Sequence, residues 1–144
     1  MAIIEESVEI KCPANKVFTY TTDAKSWPEW QPFPEAEQTS QGSMGVGSTT
    51  KGKIHMMGLS MKWTAKVTEY ELNRKFGKDI ISGPVTIEQH NTYNPMENST
   101  NLTIMYNMKV GGLMKPFSSA VVSSMRKALH KALYDLKGIL ESQT

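Results

Sequence analysis

Two periodicities divide this chain. Between Gly47 and Met108 apolar residues recur at every second position, and from Pro116 to about Glu141 they recur at every third or fourth. The clearest alternation sets Leu59, Met61, Trp63, Ala65 and Val67 against Ser60, Lys62, Thr64, Lys66 and Thr68. Successive side chains of a strand point to opposite faces, so this strand has one oily side and one wet side. The same phase predicts a first strand, with Ile4, Glu6, Val8 and Ile10 opposed to Glu5, Ser7, Glu9 and Lys11. Further strands are expected from Thr50 to Met57 (turn at Gly58) and, more weakly, from Phe76 to Ile81 after a turn at Asn73-Arg74. Val85, Ile87, Gln89, Asn91 and Tyr93 follow the turn Ser82-Gly83-Pro84. Leu102, Ile104, Tyr106 and Met108 follow a loop over Asn94–Asn98. Gly42, Gly45 and Gly47 mark a hairpin loop ahead of this antiparallel meander.

The helical segments carry their own punctuation. Pro13 opens a short helix through Tyr20, and Asp23 is placed to cap a second one through Ser26 and Trp27. Pro28, Pro32 and Pro34 then stop helix formation. In the last third, Phe117, Val121, Met125, Leu129, Ala132, Leu136 and Leu140 form one apolar stripe. Pro116 suits the first helical position, where its missing N–H costs nothing. A helix of roughly 25 residues is about 38 Å long. The order is therefore one strand, two short helices, six strands and a long helix, an α+β arrangement in a single domain over 1–144.

That order implies a hollow. Seven strands at about 4.8 Å spacing make a sheet roughly 30 Å wide. Such a sheet twists and curls around whatever it covers. One helix is only about 10–12 Å across. Large side chains or a ligand must fill the difference. Strand phase assigns Met56, Met61, Trp63, Ala65, Val85, Ile87, Leu102, Ile104 and Met108 to the inner face, opposite Met125 and Leu129 on the helix. Four polar residues share the apolar phase: Glu6, Gln89, Asn91 and Tyr106. An unpartnered buried polar group costs several kcal/mol. These four pair with one another, reach water near a strand end, or face a polar ligand group.

Composition narrows the chemistry. Lys plus Arg number 16 and Asp plus Glu 14, which excludes the basic stripe of a dedicated nucleic-acid binder. The single cysteine, Cys12, allows no internal disulfide and reads as a half-buried thiol at the end of the first strand. No secretion signal is visible at the acidic start and no apolar run suits a membrane span, so a cytoplasmic location is expected. His55, His90 and His130 fall on polar phases and read as surface residues; no metal and no other cofactor is expected. Ten methionines are an excess, suited to irregular cores and adaptable binding surfaces alike.

Three stretches carry a family resemblance. They are Val8–Phe18, with Cys12-Pro13-Ala14 at the strand-to-helix junction; Asp23 with Trp27-Pro28-Glu29-Trp30-Gln31-Pro32; and the closing helix Ala132–Glu141. In order and spacing they resemble the START-like, or Bet v 1-like, helix-grip superfamily, and most closely its polyketide cyclase/dehydrase and lipid-transport branch. The resemblance implies a seven-stranded antiparallel sheet wrapped around the C-terminal helix, with a hydrophobic cavity between them. It carries no catalytic residue over, because the branch has no shared catalytic motif. The leading expectation is a non-catalytic binder of a small hydrophobic molecule, monomeric or homodimeric. Met56, Met61, Trp63, Tyr106, Met125 and Leu129 would give apolar contact, and Gln89 and Asn91 would orient a carbonyl or hydroxyl. A cyclase- or dehydratase-type enzyme is the alternative, with Glu6 as its single candidate acid or base. A co-chaperone-like protein-binding module is the third class, opposed by the polar outer face at Lys62, Thr64, Lys66 and Thr68.

Overall fold

The computed structural model describes residues 2–143; Met1 and Thr144, the ends of the expected domain, lie outside it. Strand β1 (Ala2–Ile10) leads into helix α1 (Ala14–Thr22), a 3-10 turn (Ala24–Ser26) and helix α2 (Trp27–Trp30). There follow β2 (Glu35–Gln38), β3 (Thr49–Met56), β4 (Leu59–Glu71), β5 (Lys75–Ser82), β6 (Val85–Pro95) and β7 (Thr100–Val110). A second 3-10 turn (Gly112–Phe117) precedes the long helix α3 (Ser118–Glu141). The strands form one antiparallel seven-stranded sheet in the order β1-β7-β6-β5-β4-β3-β2. Helix α3 lies across its inner face, while Lys62, Thr64, Lys66 and Thr68 stand exposed on the outer one.

The alternation read from the sequence holds on β4, where Trp63, Ala65 and Val67 are buried between exposed neighbours. A bulge between Val67 and Glu69 then shifts the register. The extra residue swings Tyr70 to the inner side, where it meets Phe18 of α1 edge-on at 5.2 Å. Phe18 also packs on Tyr93 at 5.0 Å, so α1 plugs this end of the sheet with aromatic rings. Asp23 caps the first 3-10 turn by accepting from the Lys25 backbone N–H at 3.1 Å.

Four expectations are corrected. Pro116 does not open α3, which begins at Ser118; it lies inside the 3-10 turn. At three residues per turn that segment departs from the 3.6-residue stripe, so Phe117 leaves the core and is 59% exposed. Val121, Leu129, Ala132, Leu136 and Leu140 keep the stripe and are buried, with Leu133 added. Strand β3 ends at Met56, one residue early, because Met57 (φ 55) and Gly58 (φ 76) together form the two-residue left-handed turn that matches strand twist. Cys12 is fully buried, not half-buried. Burial raises its thiol above the usual range, which suits an inert packing residue.

Gly52 of β3 pairs with Ala36 of β2 on one side and Trp63 of β4 on the other. A Cβ there would lie 2.4 Å from the Glu35 carbonyl oxygen and 2.7 Å from the Trp63 ring. Gly52→Ala is expected to destabilise the fold by about 1–3 kcal/mol through overpacking and to displace Trp63. Urea unfolding followed by tryptophan fluorescence reads both, and an unchanged midpoint would mean that the ring yields freely.

Candidate functional site

With α1 and its rings filling one end of the sheet, open space remains at the other. A cavity of about 70 Å³ lies between the inner faces of β3 to β7 and helix α3. Met57 and Leu59, each more than half exposed, sit at its mouth at the β3–β4 turn. Met114 of the second 3-10 turn also lines it. Seven of the expected site residues stand in the wall: Met56, Met61, Trp63, Gln89, Tyr106, Met125 and Leu129. Asn91 does not. It is buried one strand step deeper, 1% exposed, and its amide is engaged by protein neighbours.

Those neighbours form a directed chain. Thr21 Oγ1 donates to the Val17 carbonyl at 2.7 Å. Its own oxygen is then left to accept from the Tyr93 hydroxyl at 2.6 Å. Tyr93 in turn accepts from Asn91 Nδ2 at 3.3 Å, and Asn91 Oδ1 accepts from Gln89 Nε2 at 2.9 Å. A backbone carbonyl can only accept, so it sets the sense of every link. Gln89 Oε1 is the end of the chain and has no partner among the described residues.

The residue that sequence reading missed is Lys78. It is 2% exposed, on the inner face of β5, and among the described residues it is the only charged one in the cavity wall. Its Nζ lies 3.6 Å from the centroid of the Trp27 ring and 5.5 Å from that of Trp63. No hydrogen bond or ion pair reaches it from the described residues. Burial lowers its ammonium from 10.5 to about 7. Tyr106 is also buried with no hydrogen bond from the described residues, and burial raises its phenol above the ordinary range. The register aligns the three polar groups. Lys78 pairs with Gln89 across β5–β6, and Gln89 pairs with Tyr106 across β6–β7. Directly opposed residues of adjacent antiparallel strands have Cβ atoms about 4.5–5.5 Å apart. An ammonium, an amide and a phenol therefore make one polar row across an oily wall. The signal was present in the chain: Phe76, Lys78 and Ile80 share a strand phase, and the outer two are apolar.

The other candidates lie elsewhere. Glu6, on the edge strand β1, is outside the cavity wall and its carboxylate meets His130 Nδ1 at 3.0 Å on the flank of α3. His90 stands 3.6 Å from Glu69, and His55 is exposed on the outer face. Among the described residues no three His, Cys, Asp or Glu gather as metal donors, and no helix is long and apolar enough to cross a membrane.

A curved antiparallel sheet that grips a C-terminal helix, with a cavity between the two, defines a helix-grip fold. The chain belongs to the polyketide cyclase / dehydrase and lipid transport family, whose model matches residues 1–141. Its fold is similar to that of a START superfamily protein from Mycobacterium smegmatis, at TM-score 0.80 and 19% identity over 99% of both chains. A Thermus thermophilus protein superposes at TM-score 0.84 with 13% identity over 99% of both chains. An aromatase/cyclase from a Streptomyces species superposes at 0.80 and 13%, over 97% of this chain and 93% of that one. At such identities the likeness is one of fold. No curated protein matches the sequence.

Proposed function

We propose that this chain is a cytoplasmic binder or carrier of a small hydrophobic molecule, lipid-like or polyketide-like, held between the sheet and α3. The observation that carries the reading is the wall of the cavity. It contains six of the chain's ten methionines: Met56, Met57, Met61, Met108, Met114 and Met125. Methionine is unbranched and polarizable, so a wall rich in it can move aside for a guest. A few polar groups in an otherwise apolar surface are what ligand sites present. The open volume matches a handful of waters at about 10–15 Å³ each, so a larger guest would enter by rotating those side chains outward. Met56, Met61, Trp63, Met125 and Leu129 supply apolar contact, Gln89 and Tyr106 supply polar contact, and Asn91 holds Gln89 in place.

The test uses the neutral fluorophore N-phenyl-1-naphthylamine. Its emission is expected to rise and shift to the blue on saturable binding. Ala128→Phe, which fills the cavity from α3, should weaken that binding by at least about tenfold, or 1.4 kcal/mol. Native mass spectrometry of the freshly purified protein should show a bound small molecule and the subunit number, monomer or homodimer. No fluorescence change together with no adduct would defeat the reading. A cyclase- or dehydratase-type activity would have to draw on Lys78, because Glu6 lies outside the cavity.

A further inference from the structure

We infer that the molecule bound in this cavity carries an acidic oxygen group, a carboxylate or its equivalent, which the ammonium of Lys78 and the hydroxyl of Tyr106 receive together. The inference rests on the binding role proposed above and names the chemistry of its ligand. Lys78 is almost wholly buried, yet nothing in the protein pairs with it among the described residues. A buried charge is costly unless an opposite charge or hydrogen bonds compensate it. Half of that compensation is already built. The Trp27 face lies 3.6 Å from Nζ, within the range at which an indole attracts a cation. Trp27 is itself held by its Nε1–H, which donates to the Thr21 carbonyl at 2.8 Å. What the site wants is the anion.

Among the described residues, the surroundings of Nζ offer no internal anion. β6 presents the Gln89 amide, β7 the Tyr106 phenol, and β4 and α2 present indoles; α3 presents Val121, Met125 and Leu129. Among the described residues, Tyr106 is the one other titratable group that lines the cavity, and its hydroxyl can donate. Both side chains are long and line the same wall, one a charged donor and one a neutral donor, and an acidic oxygen group can accept from each. The alternative is an imine between the neutral amine and a carbonyl guest. It is disfavoured because the fixed Trp27 ring covers one approach to the nitrogen.

Proton linkage follows. Burial lowers the Lys78 ammonium from 10.5 to about 7, and a nearby anion would raise it again. Affinity for a carboxylate should be flat just below pH 7 and fall by about tenfold per pH unit above it.

The experiment displaces N-phenyl-1-naphthylamine from the full chain with three probes of one chain length: decanoate, decan-1-ol and decanal. Decanoate is expected to compete about 10–100-fold better than decan-1-ol, the range for a charge-assisted hydrogen bond. Lys78→Met should abolish that preference, read as the ratio of decanoate to decan-1-ol competition within the variant, and Tyr106→Phe should reduce it. Equal competition by decanoate and decan-1-ol, with the fluorophore bound normally, would overturn the inference and leave the binding role standing. So would a preference that survives Lys78→Met, or decanal trapped on Lys78 by borohydride with no preference for decanoate. If the fluorophore does not bind at all, the binding role fails and the acidic ligand with it.

Discussion

The Lys78→Met variant is expected to be more stable than the parent chain at neutral pH. Lysine and methionine have similar reach, so the substitution removes a charge without opening a void. Lys78 is 2% exposed and has a cation–π contact as its sole compensation among the described residues. Its ammonium falls from 10.5 to about 7 on burial. At about 1.4 kcal/mol per tenfold change, that displacement caps the penalty of holding the charged form at about 5 kcal/mol. The Trp27 contact, worth about 2 kcal/mol when desolvated, reduces it. A gain of about 1–4 kcal/mol is the range seen when buried charges give way to apolar residues. The pH dependence has a definite sign. Between pH 7 and 10.5 the unfolded chain holds the proton and the folded chain releases it, so parental stability climbs as pH rises. The advantage of Lys78→Met is full below about pH 7 and shrinks toward pH 10. Urea midpoints of both proteins at pH 6.5, 8 and 9.5 measure this. A variant less stable than the parent at pH 6.5 would show that the ammonium is satisfied in the folded protein.

Trp27→Ala is expected to cost about 3–5 kcal/mol, the range for truncating a buried tryptophan. The indole is 1% exposed and joins three elements. It packs on Trp63 of β4 at 6.1 Å, donates to the Thr21 carbonyl at the end of α1, and covers the Lys78 ammonium. Removing it leaves a cavity, an unpaired carbonyl and a bare buried charge together. These share one site, so their costs are not simply additive. Trp27→Phe should recover part of the loss, because a ring face returns without the N–H. Chemical unfolding resolves the pair. A Trp27→Ala midpoint within about 1 kcal/mol of the parent would mean that the Trp27 contacts contribute little to stability.

The fold was legible in the sequence because its two periods are strong and well punctuated. Leu59 to Thr68 alternates without a break, and the stripe from Val121 to Leu140 runs for five turns of helix. The site was legible in part. Met56, Met61, Trp63, Met125 and Leu129 follow from strand phase and helix stripe alone, and the structure brings them around one cavity. Phe117 was misplaced because a 3-10 turn, set off by Gly112 at φ 58, interrupts the period just before α3. Asn91 was placed at the cavity surface because phase says which face a residue takes, not how deep it lies.

The sequence by itself determined the layers: which residues turn inward, where the chain reverses, and that one helix must fill a sheet wider than itself. Local propensity and hydrophobic period are enough for that, because they act within a few residues. Only the tertiary structure decided which polar groups meet. Register across β5, β6 and β7 sets Lys78, Gln89 and Tyr106 in one row, and the packing of α2 brings an indole over the ammonium. Such encounters depend on turn geometry and on contacts between residues far apart in the chain, which no local pattern encodes.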